Sequence, residues 1–177
     1  AHFLTRNARR LPDRPALIWD DQVMTWAELD RRVTALAGAL LHRFGLQQGD
    51  RVLVQSPNCF EMTEVMLACW RAGLVWVPSN YRQSPEEVAY LAAKSEARLM
   101  VCHADHPDHA DACRAATPGL DEVICIGTGF GHSIRDVVLR ALESDILPFD
   151  MPNADVDRDD PCWLFFTSGS TGRPKAV

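Results

Sequence analysis

Four short runs, Arg51-Val52-Leu53-Val54, Leu74-Val75-Trp76-Val77, Leu99-Met100-Val101-Cys102 and Val123-Ile124-Cys125-Ile126, constrain the fold of this chain more than any other feature. Their apolar residues are consecutive rather than alternate, so each strand needs cover on both faces, as in a parallel sheet buried between two layers. Helical patterns separate the runs. Thr25 and Glu28 form a capping pattern ahead of Trp26, Leu29, Val33, Leu36, Leu40 and Phe44, which recur at helical spacing as far as Gly45. Asn58 with Glu61 opens a second helix, with Met62, Val65, Met66 and Cys69 on one face and Gly73 as its stop. Ser84-Pro85-Glu86-Glu87 opens a third, with a cap, a proline in the first turn and early negative charge. Further helices are predicted across residues 107–117 and from Ser133 to Leu142, and a short hairpin across Ala16-Leu17-Ile18-Trp19 and Val23-Met24.

This alternation predicts a doubly wound α/β fold, a mostly parallel sheet with helices on both faces. At 177 residues and 47% hydrophobic content the chain suffices for one packed domain. Residues 1–143 read as the α/β subdomain and residues 144–161, with three prolines and six aspartates, as an acidic connection. Residues 162–177 read as a buried strand, Cys162 to Phe166, followed by a loop. A net charge of −6 offers no basic field, which argues against nucleic acid as a partner. No apolar run approaches the ~18 residues that cross a bilayer, and Ala1 to Arg10 has no signal-peptide core. The six cysteines, at 59, 69, 102, 113, 125 and 162, form no CxxC pair and sit mostly in apolar segments, as reduced, buried thiols do. A cytoplasmic protein is expected.

The chemistry concentrates in Thr167-Ser168-Gly169-Ser170-Thr171-Gly172-Arg173-Pro174-Lys175. Two glycines let the backbone fold closely round an anion and aim successive N–H groups at it. Hydroxyls from Thr167, Ser168, Ser170 and Thr171 add donors, Lys175 adds a charge, and Pro174 stiffens the exit. G-x-x-x-x-G-K-[ST] is absent, because Gly169 and Gly172 are three apart and Ala176 follows Lys175, so an ordinary P-loop is disfavoured. A flexible linker of the same composition is the plain alternative, and the apolar run just before the loop weighs against it.

Other constellations are weaker. His103, His106, His109, Asp105, Asp108, Asp111 and Cys113 supply metal-ligand types at spacings that match no zinc pattern, and a solvated turn accounts for them better. Gly127-Thr128-Gly129-Phe130-Gly131 lies between a strand and a helix, but His132 stands where a dinucleotide fingerprint needs glycine. Arg82 is expected to pair with Glu86 or Glu87. No G-x-S-x-G or paired-carboxylate site is present.

Phe166 to Val177 closely resembles the phosphate-loop signature of the ANL adenylate-forming superfamily, the acyl-CoA synthetases, peptide-synthetase adenylation domains and luciferases. Pro12-Asp13-Arg14-Pro15-Ala16-Leu17, Met24 to Leu29, Arg71-Ala72-Gly73 and Val77 to Arg82 resemble the same family in the same order. The likeness weakens between Cys102 and Asp160. Pro78-x-Asn80-x-Arg82 resembles the acyl-CoA synthetases more than the amino-acid-adenylating branch. The resemblance implies a ligase that uses ATP with Mg²⁺ to convert a carboxylic acid into an acyl-adenylate and then a thioester of coenzyme A, as in fatty acid metabolism. Thr167, Ser168, Gly169, Ser170, Thr171, Gly172 and Lys175 would bind the ATP phosphates. None of them is a nucleophile or general base, and no catalytic residue or metal ligand is assigned. The family's acyl pocket, magnesium-binding glutamate and catalytic lysine lie beyond the loop, so residues 1–177 are expected to be an inactive N-terminal fragment. The alternatives are an amino-acid or aryl-acid adenylation domain and a noncatalytic nucleotide- or protein-binding module. Acid identity and oligomeric state are left unassigned.

Overall fold

The computed structural model describes residues 2–144, 154–167 and 174–176. Helix α1 (His2–Arg10) leads into an antiparallel hairpin, β1 (Pro15–Trp19) and β2 (Gln22–Thr25). Five parallel strands then build the main sheet: β3 (Arg51–Gln55), β4 (Val75–Pro78), β5 (Leu99–His103), β6 (Glu122–Ile126) and the two-residue β7 (His132–Ser133). Their order is β4-β3-β5-β6-β7. The connecting helices are α2 (Trp26–Gly38), α3 (Phe60–Ala72), α4 (Pro85–Ser95), α5 (Pro107–Ala116) and α6 (Ile134–Glu143).

The consecutive apolar residues of the strands divide between two cores, as a two-sided sheet requires. Val52, Val54, Trp76, Leu99, Val101, Ile124 and Ile126 face the layer of α2, α3 and α6. Leu53, Val75, Val77, Met100, Cys102 and Val123 face α4 and α5. The doubly wound reading therefore holds. Its strand order is the flavodoxin-like 2-1-3-4-5, in which the connections change face between β3 and β5.

Local chemistry sets the ends of the helices. Thr25 Oγ1 accepts from Glu28 N (3.2 Å) at the start of α2. Ser84 and Glu87 form a reciprocal capping box on α4, with Pro85 in the first turn. Gly73 closes α3 in the left-handed region at φ 72°, and a Cβ there would stand 2.9 Å from the Cβ of Ala154. Gly131 is tighter. Its φ is 58°, and a Cβ would lie 2.4 Å from the Val123 carbonyl oxygen, so the turn after β6 tolerates no side chain at that position.

Four expectations need correction. The helix from Trp26 to Phe44 is not uniformly α: it widens into a π-helical turn over Ala39–Arg43, where Phe44 N donates to Ala39 O (3.1 Å). Helix α3 is capped one residue later than Asn58, by Cys59, whose sulfur accepts from Met62 N (3.4 Å). Arg82 does not pair with Glu86 or Glu87; its Nε donates to the Tyr81 hydroxyl (2.9 Å) and its guanidinium lies over that ring. Glu87 is committed to the capping box, accepting from Ser84 N (2.8 Å). Ser133 to Leu142 is not helical throughout, because Ser133 belongs to β7 and the helix runs from Ile134. Helix α1 was not anticipated at all, since Leu4 is its one buried residue.

The helical layer is pinned by buried charge. Arg71 on α3 is 1% exposed and reaches Asp30 Oδ1 (2.6 Å) on α2, Thr5 Oγ1 (2.9 Å) on α1, and the Thr34 hydroxyl. Arg32 and Glu64 form a second, two-pronged pair between α2 and α3. Burial pushes the Glu64 carboxyl up, and the Arg32 guanidinium opposes that shift.

All six cysteines are free thiols, but they do not share one environment. Cys69, Cys102, Cys113 and Cys125 are buried, Cys59 is half-buried, and Cys162 is exposed. Burial pushes the thiols of Cys102 and Cys113 up to about 12. Iodoacetamide is therefore expected to label Cys162 first under native conditions and the four buried thiols only on unfolding. Peptide mapping showing early labelling of Cys102 or Cys113 would contradict this packing.

Candidate functional site

The apolar run Cys162 to Phe166 is not a buried strand. It lies along the outer edge of β4 through two bonds, Trp76 N to Cys162 O (3.1 Å) and Leu164 N to Trp76 O (3.0 Å). Cys162 and Phe165 are exposed, while Trp163, Leu164 and Phe166 are half-buried. An edge segment has cover on one side only, which a consecutive apolar run does not reveal.

Side chains fasten this segment to the sheet. Trp163 packs edge-on to Trp76 at 4.6 Å and stacks on Phe165 at 4.3 Å between centroids. Trp70 Nε1 donates to Cys162 O (3.1 Å). Leu164 and Phe166 turn to the opposite face and pack on the α4–α5 core. The segment runs parallel to β4, so the residues after Phe166 emerge at the carboxyl edge of the sheet.

A second small ladder forms there. Strand β8 (Phe166–Thr167) pairs antiparallel with β9 (Lys175–Ala176), in the register Phe166↔Ala176 and Thr167↔Lys175. Directly opposed residues hold their Cβ atoms about 4.5–5.5 Å apart, so one hydroxyl and one ammonium stem flank the mouth of the enclosed loop. Both Thr167 and Lys175 are exposed. The exit is tied to α4, where the Tyr90 hydroxyl donates to the Pro174 carbonyl (3.5 Å). Ser168, Gly169, Ser170, Thr171 and Gly172 lie outside the described residues. The structure therefore brings together the two ends of the predicted phosphate loop, Thr167 and Lys175.

The weaker constellations resolve differently. His103, His106 and His109 pack ring to ring, with centroids 6.4 and 4.9 Å apart. Among the described residues no group of three or more His, Cys, Asp or Glu is arranged to hold a metal ion. The His106 imidazole is held below its ordinary value, chiefly by burial and then by its two histidine neighbours. The Gly127–Gly131 segment carries three positive-φ glycines and runs into β7 before α6 begins. No helix among the described residues is long and apolar enough to cross a membrane.

Comparison with known proteins identifies the family. The profile of the family described as AMP-binding enzyme matches residues 4–177, and the chain belongs to that family of adenylate-forming proteins. It is 36% identical over 172 residues to a feruloyl-CoA synthase of an Amycolatopsis species, covering 97% of this chain and 31% of that protein. The chain thus spans under a third of that relative's length. Among solved structures, a Mycobacterium tuberculosis fatty acyl CoA synthetase superposes with a TM-score of 0.79 at 25% identity, over 99% of this chain and 33% of that one. The fold also matches an anthranilate CoA ligase, AuaEII, with a TM-score of 0.88 at 24% identity, over 98% of this chain and 33% of that one.

Proposed function

We propose that the full-length protein is an acid–thiol ligase of the AMP-forming type. It activates a carboxylic acid with ATP, releases pyrophosphate, and passes the acyl group from the adenylate to the thiol of coenzyme A. The observation that carries this reading is the glycine- and hydroxyl-rich loop closed by β8 and β9 at the carboxyl edge of the sheet, in a chain matched by the AMP-binding family over residues 4–177. Similarity to a feruloyl-CoA synthase and to a fatty acyl CoA synthetase supports the acyl-CoA branch, with an aromatic or fatty acid as substrate.

In this mechanism Thr167, Ser168, Gly169, Ser170, Thr171, Gly172 and Lys175 hold the ATP phosphates. Backbone N–H groups and hydroxyls offer fixed donors to phosphate oxygens, and Lys175 adds a full charge beside them. Their effect is electrostatic. Negative charge grows on the departing pyrophosphate, and donors already oriented towards it need no reorganisation as it leaves. The magnesium ion enters with the MgATP substrate, and no described residue is assigned to it. None of the loop residues accepts a proton or forms a covalent bond. Reaction within the cytoplasm, where ATP and coenzyme A are at hand, fits this chemistry.

The test is a thioester assay on the full-length protein with a panel of acids. Ferulate or a fatty acid should give a coenzyme A thioester with release of AMP, whereas amino acids should give none. Adenylate formation with no thioester on coenzyme A would shift the reading to an adenylation domain serving another acceptor. Residues 1–177 alone are expected to form no acyl-CoA, and robust turnover by that polypeptide would contradict the assignment.

A further inference from the structure

The carboxyl edge of the sheet carries a second candidate, apart from the phosphate loop. In open α/β sheets ligands settle outside the carboxyl ends of the strands where the connections change face, here between β3 and β5. A crevice of about 280 Å³ lies at that point. Its walls come from the end of β3 and first turn of α3 (Asn58, Phe60, Glu61), from the end of β5 (His103), and from the hairpin tip that overhangs both (Trp19, Gln22). A larger cleft of about 440 Å³, bordered by His42, Arg43 and Arg140, lies where α2 and α6 end. That is the amino edge of the sheet, where the topology provides no such opening.

The lining defines the chemistry of the occupant. Trp19 and Phe60 offer aromatic surface for a flat ring. Gln22 and Asn58 supply amides that both donate and accept. Nδ1 of His103 accepts from the Asp105 N–H (3.3 Å), which makes Nε2 the N–H donor of the neutral ring. The Glu61 carboxylate disfavours a carboxylate or phosphate beside it and accepts from an amino group. Aromatic stacking, mixed donors and acceptors, and a single negative charge suit a neutral heteroaromatic ring bearing an amino group. They do not suit the carboxylic acid substrate.

We propose that this switch-point crevice is a binding site for a purine nucleoside, distinct from the phosphate loop. The ring lies against Trp19, its amino group donates towards Glu61, and a ring nitrogen meets His103. This assignment stands independently of the ligase reading.

Equilibrium dialysis of labelled adenosine against the full-length protein tests it, with a non-hydrolysable ATP analogue held at saturation to occupy the nucleotide site. Adenosine is expected to bind under those conditions. Trp19→Ala and His103→Ala should each weaken binding about tenfold or more. Trp19 is 51% exposed, so its replacement does not hollow the core, and unaltered thermal unfolding checks this. Gln22→Ala, on the exposed hairpin, serves as a second variant and should also weaken binding. Loss of all adenosine binding in the presence of the ATP analogue, or full binding in the Trp19, Gln22 and His103 variants, would overturn the proposal. Binding of the ATP analogue to the Lys175→Ala protein is read separately and bears on the phosphate loop alone.

Discussion

Lys175→Ala in the full-length protein should slow acyl-adenylate formation by about a hundredfold, while acyl transfer from a supplied adenylate to coenzyme A changes by no more than a few-fold. The asymmetry follows from where the charge develops. Pyrophosphate leaves during adenylation, and removing one preorganised donor from a developing anion costs on the order of 10²–10³ in rate. The second half-reaction has no pyrophosphate to stabilise. The register places Lys175 directly across from Thr167 at the mouth of the loop, so the substitution removes a charge without breaking the β8–β9 pairing that shapes it. Pyrophosphate exchange and single-turnover thioester formation, measured side by side, separate the two steps. Equal loss in both would mean that Lys175 acts through folding or through coenzyme A rather than through the phosphates.

The second large effect concerns stability. Asp30→Ala should destabilise the protein by about 3–5 kcal/mol, because it strands the Arg71 guanidinium without its counter-charge. Arg71 is 1% exposed, so its guanidinium loses a charged partner in a position where its own hydration is largely stripped away. The Thr5 and Thr34 hydroxyls and the Asp30 carbonyl remain as acceptors but carry no charge. For a domain of this size the cost corresponds to a fall in Tm of about 6–20 °C, at roughly 2–4 °C per kcal/mol. The double variant Asp30→Leu with Arg71→Met should recover much of the loss, since an apolar pair of similar volume leaves no buried charge unpaired. If the single variant melts within 2 °C of the parent, given as an approximate margin, the ion pair does not pin the α1–α2–α3 junction.

Much of the fold was legible in the sequence, and the reason differs from element to element. Strands β3 to β6 declared themselves because a strand buried on both faces must be apolar at consecutive positions, and Val52-Leu53-Val54 and Met100-Val101-Cys102 have no other reading that fits their length. Helix α4 was equally clear, because Ser84, Pro85 and Glu87 each satisfy a first-turn N–H or remove one. The order of the strands was not legible, since it depends on pairings such as Val52 with Leu99, far apart along the chain. Helix α1 escaped for a related reason: its anchor is the contact of Thr5 with Arg71, not an apolar stripe of its own.

The candidate site divides the same way. Residue types between Thr167 and Lys175 pointed to phosphate chemistry in the sequence, and the fold adds to that reading only the pairing of the two ends of the stretch. The support beneath the loop gave no local signal. Trp163 reads simply as apolar in sequence, and only the fold shows it wedged between Trp76 and Phe165 at the open edge of β4. Arg82 was misassigned because spacing alone cannot reveal that Glu87 is already committed to a helix cap. The crevice between β3 and β5 is more distant still from sequence, since Trp19, Glu61 and His103 meet only once the strand order is known.

The central claim, that this chain contributes the phosphate-binding wall of an adenylating enzyme, is tested most directly by carboxylate-dependent exchange of labelled pyrophosphate into ATP. The full-length protein should catalyse exchange only when ferulate or a fatty acid is present, and Lys175→Ala should lower that exchange about a hundredfold. Exchange that proceeds without any acid, or that is indifferent to the loss of Lys175, would contradict it.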